Sequence, residues 1–434
     1  METQENLDVI VFGAGAAGLM AAWEIIQTGK KVLIIEARNR IGGRIHTIYD
    51  EKFSLPIEGG AEFIHGDLPL TKLLLKKAGI AYPKAEGSVW RKEKNGLQKS
   101  DFIEDYRDLN KKFKELTGDI PVADFFNQYL KDPKYEDLKK SLNGYVEGYY
   151  AADTAKASTF ALRDELQNSS DEQYRVESGY QTLVDFMHRE FLQKGGSAFL
   201  SSPVTAINWQ SDNVEVTTTL QIFVAKKIIL TVPIGVLQSG QIKFSPGIED
   251  KLTAAKQAGY GPVIKIIIQF DDAFWIDKSL SEKDTKNLSF LFSEEQVPTW
   301  WTQYPKEVAI LTGWLGGPRA EKMKHLNDLA ILEKALTSLT AIFNIDANTL
   351  NEKLVSWKVI NWATDPYSLG AYGYQIVGGD TIIKILKQPV ESKLFFSGEG
   401  LSDGPEIGTV EAALASGRET AHLVIASFKW YGFF

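Results

Sequence analysis

The sequence predicts an α/β fold made of two interleaved domains, on three observations. The chain opens on a strand, a glycine-rich turn, a helix and a second strand. It closes on the same logic, with a strand, a glycine-rich loop and a long helix. Between these ends lies a long stretch of helical periodicity that belongs to neither.

Residues 7–12 (LDVIVF) read as a buried strand, and the helix from Ala16 to about Thr28 is apolar almost all round, so it is expected between layers. Gly29 is placed to end that helix, and KVLII at 31–35 forms the next strand. Asp67 is positioned to cap a helix carrying Leu70, Leu73, Leu74 and Ala78, which Gly79 stops. Asn95-Gly96 inside Val89–Lys99 signals a hairpin. Ile103, Tyr106, Leu109, Phe113 and Leu116 then share a helical face. So do Val122, Phe125, Phe126 and Tyr129, and Leu138, Leu142, Tyr145 and Tyr149. Residues ~85–190 therefore read as a largely helical insertion, closed by a helix over Leu183–Leu192. Strands return at VTAINW (from Val204), VEVTTT, 228–230, 263–270 and 354–360. Residues 326–342 read as helix, and 393–397 lead into the last helix from Thr409 to about Ser427.

Composition narrows the chemistry. The 434 residues include no cysteine, which excludes disulfides, thiolate nucleophiles and Cys-ligated metals. No metal site is expected. The net charge of −8 argues against nucleic acid as a partner, because phosphate binding needs clustered basic surface. No apolar run approaches the ~20 residues that span a membrane. The opening METQENLDVIVFGAG has no basic region and no small-residue cleavage site, so the expected compartment is cytoplasmic. The aromatic tail Trp430–Phe434 reads as packing against the body of the protein.

Gly13-Ala14-Gly15-Ala16-Ala17-Gly18 is a GxGxxG turn. It follows a strand, opens a helix and precedes Glu36 at the end of the next strand, the context of a Rossmann-like dinucleotide site. The first glycine allows the tight turn, the second lets backbone approach a pyrophosphate, and the third allows close helix–strand packing. The helix N-terminus offers unpaired N–H groups to phosphate. Glu36 is the ribose acceptor, and its charge disfavours a 2′-phosphate. Ala37 and Arg38 follow directly, then Gly42-Gly43-Arg44 and Gly59-Gly60. Arg38 or Arg44 can neutralise pyrophosphate charge.

The run Gly13–Arg44, followed by Glu58-Gly59-Gly60-Ala61-Glu62-Phe63-Ile64-His65-Gly66, resembles the flavin-containing amine oxidases. Further matches follow in order: Thr231–Leu237, Val263-Ile264-Lys265 with Phe274-Trp275, Trp362–Tyr372, Phe396–Glu399 and Gly408–Ala413. The resemblance implies a Rossmann-like FAD-binding domain over 1–84, 195–260 and 385–434. A mixed α+β substrate domain would then cover 85–194 and 261–384. It implies cofactor contacts from Gly13, Gly15, Ala16, Ala17, Gly18, Glu36, Ala37, Arg38, Gly43, Arg44, Gly60, Ala61, Glu62 and Phe63. Val204, Trp357, Trp362, Gly398, Glu399, Gly408, Thr409 and Val410 complete that set. Ala371 stands where monoamine oxidases carry the cysteine bound to flavin, so FAD is expected to be held non-covalently.

Lys265 alternates with an apolar face formed by Ile264, Ile266, Ile268 and Phe270, so it points to solvent or into a polar pocket. The resemblance places it beside flavin N5, hydrogen-bonded to a water, with a role in reoxidation by oxygen. It makes Tyr372 the aromatic wall facing the amine, with Thr409 where relatives often carry a second aromatic. His65, in an Ile-His-Gly sequence similar to that of polyamine oxidases, is a third candidate catalytic residue. Together with Glu62 it would set the position of a second amine. Glu147, Asp153 and Arg163 are weaker candidates for the entrance.

The expected activity removes hydride from the carbon next to an amine nitrogen, with oxygen as acceptor. The products are an imine or aldehyde and hydrogen peroxide. Alternatives are an L-amino acid oxidase, a flavin dehydrogenase that does not use oxygen, an NAD-dependent dehydrogenase and a non-catalytic flavoprotein. Ala61-Glu62-Phe63 occupies the region where amino acid oxidases place a carboxylate-binding arginine. Substrate length and oligomeric state are not encoded in any motif.

Overall fold

The computed structural model describes residues 7–103, 106–168, 172–276 and 285–429. The tail Trp430–Phe434, and with it the packing expected of it, lies outside them.

Two large sheets organise the chain. The first has eight strands, and its middle is parallel: Ser197–Phe199, Val32–Ile35, Leu7–Phe12 and Ile222–Leu230 lie in that order, and Leu394–Phe396 also pairs with Ile222–Leu230. Val9, Val11, Val32 and Ile34 face one core, while Ile10, Phe12, Leu33 and Ile35 face another. That double burial explains why these strands read as unbroken apolar runs. The opening helix Ala16–Ile26 packs on the first face beside the last helix, Val410–Lys429. Gly417 permits the approach, since a Cβ there would stand 2.3 Å from the Ala17 carbonyl.

The second sheet has seven strands, in the order Leu354–Asn361, Val263–Phe270, Ile310–Gly316, Thr299–Thr302, Leu288–Phe292, Ser88–Glu93 and Gly96–Lys99. All its pairings are antiparallel except Leu288–Phe292 with Ser88–Glu93. The Asn95-Gly96 hairpin forms its edge. One face packs on the helix Asp328–Phe343. Helices Tyr106–Lys114, Val122–Tyr129 and Glu136–Gly148 bury the faces read from their periodicity into a separate cluster.

Two expectations change, and strands appear where the sequence reading had placed no element. The helix expected to close the insertion, Gln181–Gln193, packs instead on the opening helix: Leu183, Val184, Met187 and Phe191 complete that core. Asp67 does not cap the helix Pro69–Ala78. Its carboxylate is exposed beside Lys72, and Glu411 from the last helix accepts from Leu70 N (2.9 Å) and Thr71 N (2.7 Å) instead. The sheet strands within 288–316 were not legible as strands, because Thr299–Thr302 carries Trp-Trp and Ile310–Gly316 is buried throughout except at Trp314, so neither alternates.

Candidate active site

A single continuous cavity of about 1560 Å³ runs from the glycine-rich turn, past the second sheet, to the helical insertion. It exceeds the roughly 300–1,000 Å³ that suits a small ligand alone.

At one end the turn behaves as its spacing demands. Gly13 has φ +110°, and a Cβ on Gly18 would stand 1.9 Å from the Gly13 carbonyl oxygen. Gly15 is the opposite case. A Cβ there would meet nothing nearer than the Gly42 oxygen at 4.0 Å, so its open side is the cavity. Ala16 and Ala17 line the cavity at the helix start, and Gly15, the N-cap, supplies no side-chain cap. The first-turn N–H groups are therefore available to a phosphate. Glu36 is buried, and its oxygens accept from Ala14 N and Arg38 N, each at 2.8 Å. A carboxylate has about four acceptor sites, which leaves room for a ribose diol. Val204 and Ala37 line this end as well.

Arg38 and Arg44 line the middle. Arg38 pairs with Asp365 and donates to Ser368 Oγ at 2.9 Å. Arg44 pairs with Glu399 Oε1 at 2.6 Å and also donates to the Ala371 carbonyl. Glu399 Oε2 accepts from Gly373 N at 3.1 Å. These bonds tie the last flavin-type loop to the Trp362–Tyr372 segment. Gly43, Gly60, Ala61, Phe63, Trp362, Gly398, Gly408, Thr409 and Val410 line the same stretch. A Cβ on Gly60 would stand 1.7 Å from the Arg44 oxygen. Gly398, at φ +154°, has open space where a Cβ would point. A flat, phosphate-bearing dinucleotide fits this cradle.

Beyond it stands Lys265, fully buried at 0% exposure. Strand alternation turns it away from the Ile264, Ile266 and Ile268 core and into the cavity. Its Nζ donates to Glu62 Oε2 at 2.8 Å and to the Gly60 carbonyl at 3.2 Å, 5.2 Å from the Trp301 ring centre. Glu62 also accepts from Trp301 Nε1 (3.1 Å) and Gln303 Nε2 (3.2 Å), and Arg175 lies 3.3 Å away. Burial alone would raise its pKa, but Lys265 and Arg175 outweigh that and lower it. Glu62 is a charged partner of Lys265 with its acceptors in use.

Tyr372 and Trp314 stand nearly parallel, 19° apart with ring centres at 6.5 Å, and Trp301 lies 5.7 Å from Trp314. Tyr372 donates its hydroxyl to the Tyr149 carbonyl at 2.7 Å, and burial pushes its pKa up. Gly408 lies against the Tyr372 side chain. Thr409 uses its hydroxyl to bridge Glu406 O (2.7 Å) and Ala412 N (3.2 Å), starting the last helix. His65 lines the cavity 5.0 Å from the Tyr149 ring, and burial pulls its pKa down to about 4, so it is neutral.

Two further expected residues fall elsewhere. Trp357 alternates onto the far face of the second sheet and packs with Val359 against the Ile264–Ile268 core. Gly18 packs within the turn and does not line the cavity. Of the weaker entrance candidates, Glu147 lines the cavity, whereas Asp153 and Arg163 do not. Trp301, Trp314, Arg175 and Glu165 were missed. The Trp300-Trp301 pair was a usable signal, since alternation sends one ring to the core and the other to the cavity.

A family model described as flavin containing amine oxidoreductase matches residues 16–120 and 91–425. The chain belongs to that family. Polyamine oxidase 2 of Arabidopsis thaliana is 29% identical over 94% of this chain and 86% of its own length. Lysine-specific histone demethylase 2 of Homo sapiens is 27% identical over 97% of this chain but 54% of its own length, so the chain spans about half of that relative. Among solved structures, cyclohexylamine oxidase from Brevibacterium oxydans superposes with a TM-score of 0.79 at 18% identity, covering 98% of this chain and 100% of that one. Putrescine oxidase bound to putrescine gives 0.76 at 20% identity, covering 97% and 99%. At such identities the superpositions establish the shared fold.

Proposed function

We propose that this family member is an FAD-dependent amine oxidase using oxygen as acceptor. The observation that carries the reading is one cavity joining a dinucleotide cradle to a buried Lys265–Glu62 pair and an aromatic slot. Gly15, the first turn of the opening helix and Glu36 would hold the adenosine diphosphate half, with Arg38 and Arg44 balancing its charge. FAD is held non-covalently in this reading, since the chain has no cysteine for a thioether and Ala371 fills the relevant position.

A flavin held in this cradle would supply a hydride acceptor for the carbon next to the amine nitrogen and a route for two electrons to oxygen. The protein residues prepare that event. Tyr372, Trp314 and Trp301 form a low-polarity slot that disfavours an ammonium and admits the neutral amine, whose lone pair must be free. Lys265, held by Glu62 and the Gly60 carbonyl, fixes a positive charge where negative charge develops during reduction of oxygen. A polyamine-type or simple amine is the preferred substrate class. Arg175 is occupied by Glu62 and by the carbonyls of Thr302 (2.7 Å) and Tyr304 (3.1 Å), which weighs against an amino-acid carboxylate docking on it.

The test is Lys265→Met in the flavin-loaded protein. Reoxidation of the reduced flavin by air should slow on the order of 100-fold, with hydrogen peroxide as product in the wild type. Unchanged reoxidation would remove Lys265 from this role.

A further inference from the structure

Arg175 stands behind the site described above. The short strand Gln173–Arg175 pairs antiparallel with Phe63–His65, which sets Arg175 opposite Phe63. Its guanidinium carbon lies 4.5 Å from the Phe63 ring centre. The terminal nitrogens donate to the carbonyls of Thr302 (2.7 Å) and Tyr304 (3.1 Å), and Nε lies 3.3 Å from Glu62 Oε1. Glu62 lines the cavity, whereas Arg175 does not. Arg175 therefore acts on the cavity only through Glu62.

Glu62 does not need Arg175 as a donor. Lys265 Nζ (2.8 Å), Trp301 Nε1 (3.1 Å to each oxygen) and Gln303 Nε2 (3.2 Å) already serve its two oxygens. Arg175 Nε is close but misaligned, and it is buried without a hydrogen-bond partner. What Arg175 adds to Glu62 is charge. One cation balances one buried carboxylate, and withdrawing a second cation from water is costly. Lys265 and Glu62 alone would form a neutral pair. With Arg175 the cluster carries one net positive charge, walled by the Phe63 and Trp301 rings, where water screens it little. Glu58 is the remaining carboxyl whose field couples to Lys265 and Glu62, and burial pushes its pKa up to about 7. At about pH 6 it is largely protonated and leaves the charge count unchanged.

We propose that Arg175 sets the electron affinity of the site: through Glu62 it leaves one net positive charge beside the bound flavin, and that charge raises the flavin's reduction potential. The inference rests on the amine oxidase reading, in which Lys265 faces the reacting part of the flavin. A hydride brings negative charge to the flavin, and a fixed positive charge nearby stabilises it. Arg175 touches neither substrate nor cofactor, so it is a positioning residue.

The test is the midpoint potential of the bound flavin, measured anaerobically by dye equilibration at about pH 6. Arg175→Gln should shift the reduction equilibrium about tenfold toward the oxidised form, about 30 mV for a two-electron couple. Glu62→Gln should shift it the opposite way. The double variant Glu62→Gln/Arg175→Gln restores the wild-type net charge on Lys265 alone, and its potential should return to within about 10 mV of wild type. A second substitution does not repair lost packing, so a merely structural Arg175 gives no such return. Arg175→Lys keeps the charge and should keep the potential. A double variant as low as Arg175→Gln, or a Glu62→Gln potential equal to wild type, overturns the proposal. The second comparison decides even where Arg175→Gln fails to fold. Reduction by amines is followed anaerobically in the same proteins. If amines reduce the flavin at one potential shared by all variants, the charge assignment falls and the oxidase reading stands. Potentials that follow the charge while no amine reduces the flavin give the reverse.

Discussion

Gly15 and Gly60 are glycines for opposite reasons, and the difference is testable. A side chain at Gly60 would strike the Arg44 backbone at 1.7 Å, so Gly60→Ala should unfold or strongly destabilise the chain. A side chain at Gly15 meets only open space, at a backbone φ of −76° that any residue tolerates. Gly15→Val should therefore leave the melting temperature of the flavin-free protein within a few degrees while abolishing flavin binding. Equal flavin content in Gly15→Val and wild type would remove the cradle from its assigned place. Residue-scale legibility followed the same division. The GxGxxG spacing showed Gly15 because backbone motifs are local. The two faces of VIKIIIQF were equally local, but that neither lies against solvent was not. Lys265 is buried because Glu62, Trp301 and Gln303 converge from remote segments, and a single sequence carries no record of that convergence. Trp357 and Trp362 show the reverse error: both read as flavin neighbours, yet only Trp362 lines the cavity.

Helix ends connect elements here. The helix Pro69–Ala78 has Leu68 at its N-cap, without a side-chain acceptor, so its orphan donors are met by the buried carboxylate of Glu411. Thr71 Oγ1 adds a third bond at 2.7 Å. Glu411→Ala leaves three buried donors unmet and should cost about 2–3 kcal/mol, read as a lower denaturant midpoint. Glu411→Gln keeps acceptor capacity and should cost less. A Glu411→Ala variant as stable as wild type would show that the cap contributes nothing. The Asp67 expectation failed because capping was sought locally, whereas the acceptor came from 340 residues away. The strands 7–12 and 263–270 were read to the residue, since length, β-branching and flanking turns all agreed. Gln181–Gln193 was recognised as a helix but assigned to the wrong neighbours. Its apolar stripe announces burial without naming the partner.

At the scale of the molecule, function depends on two sheets sharing one cavity. The parallel sheet delivers the glycine turn and Glu36 to one end. The antiparallel sheet delivers Lys265, Trp301 and Trp314 to the other, and the helical insertion closes it with Tyr149, Tyr150 and Glu165. No described helix is long and apolar enough to cross a membrane, and no described cluster of acidic residues and histidines could hold a metal. Interleaving was legible because both chain ends carried dinucleotide-type signals. The size and shape of the substrate end were not, because its lining is drawn from segments scattered between residues 61 and 410. The central claim is that this cavity oxidises amines through bound flavin. Anaerobic addition of amines to the purified yellow protein tests it most directly, with L-amino acids as the comparison. Loss of the visible flavin absorbance with amines, and none with amino acids, is the predicted result. A flavin that stays oxidised with every amine, or a purified chain that refuses FAD, would contradict it.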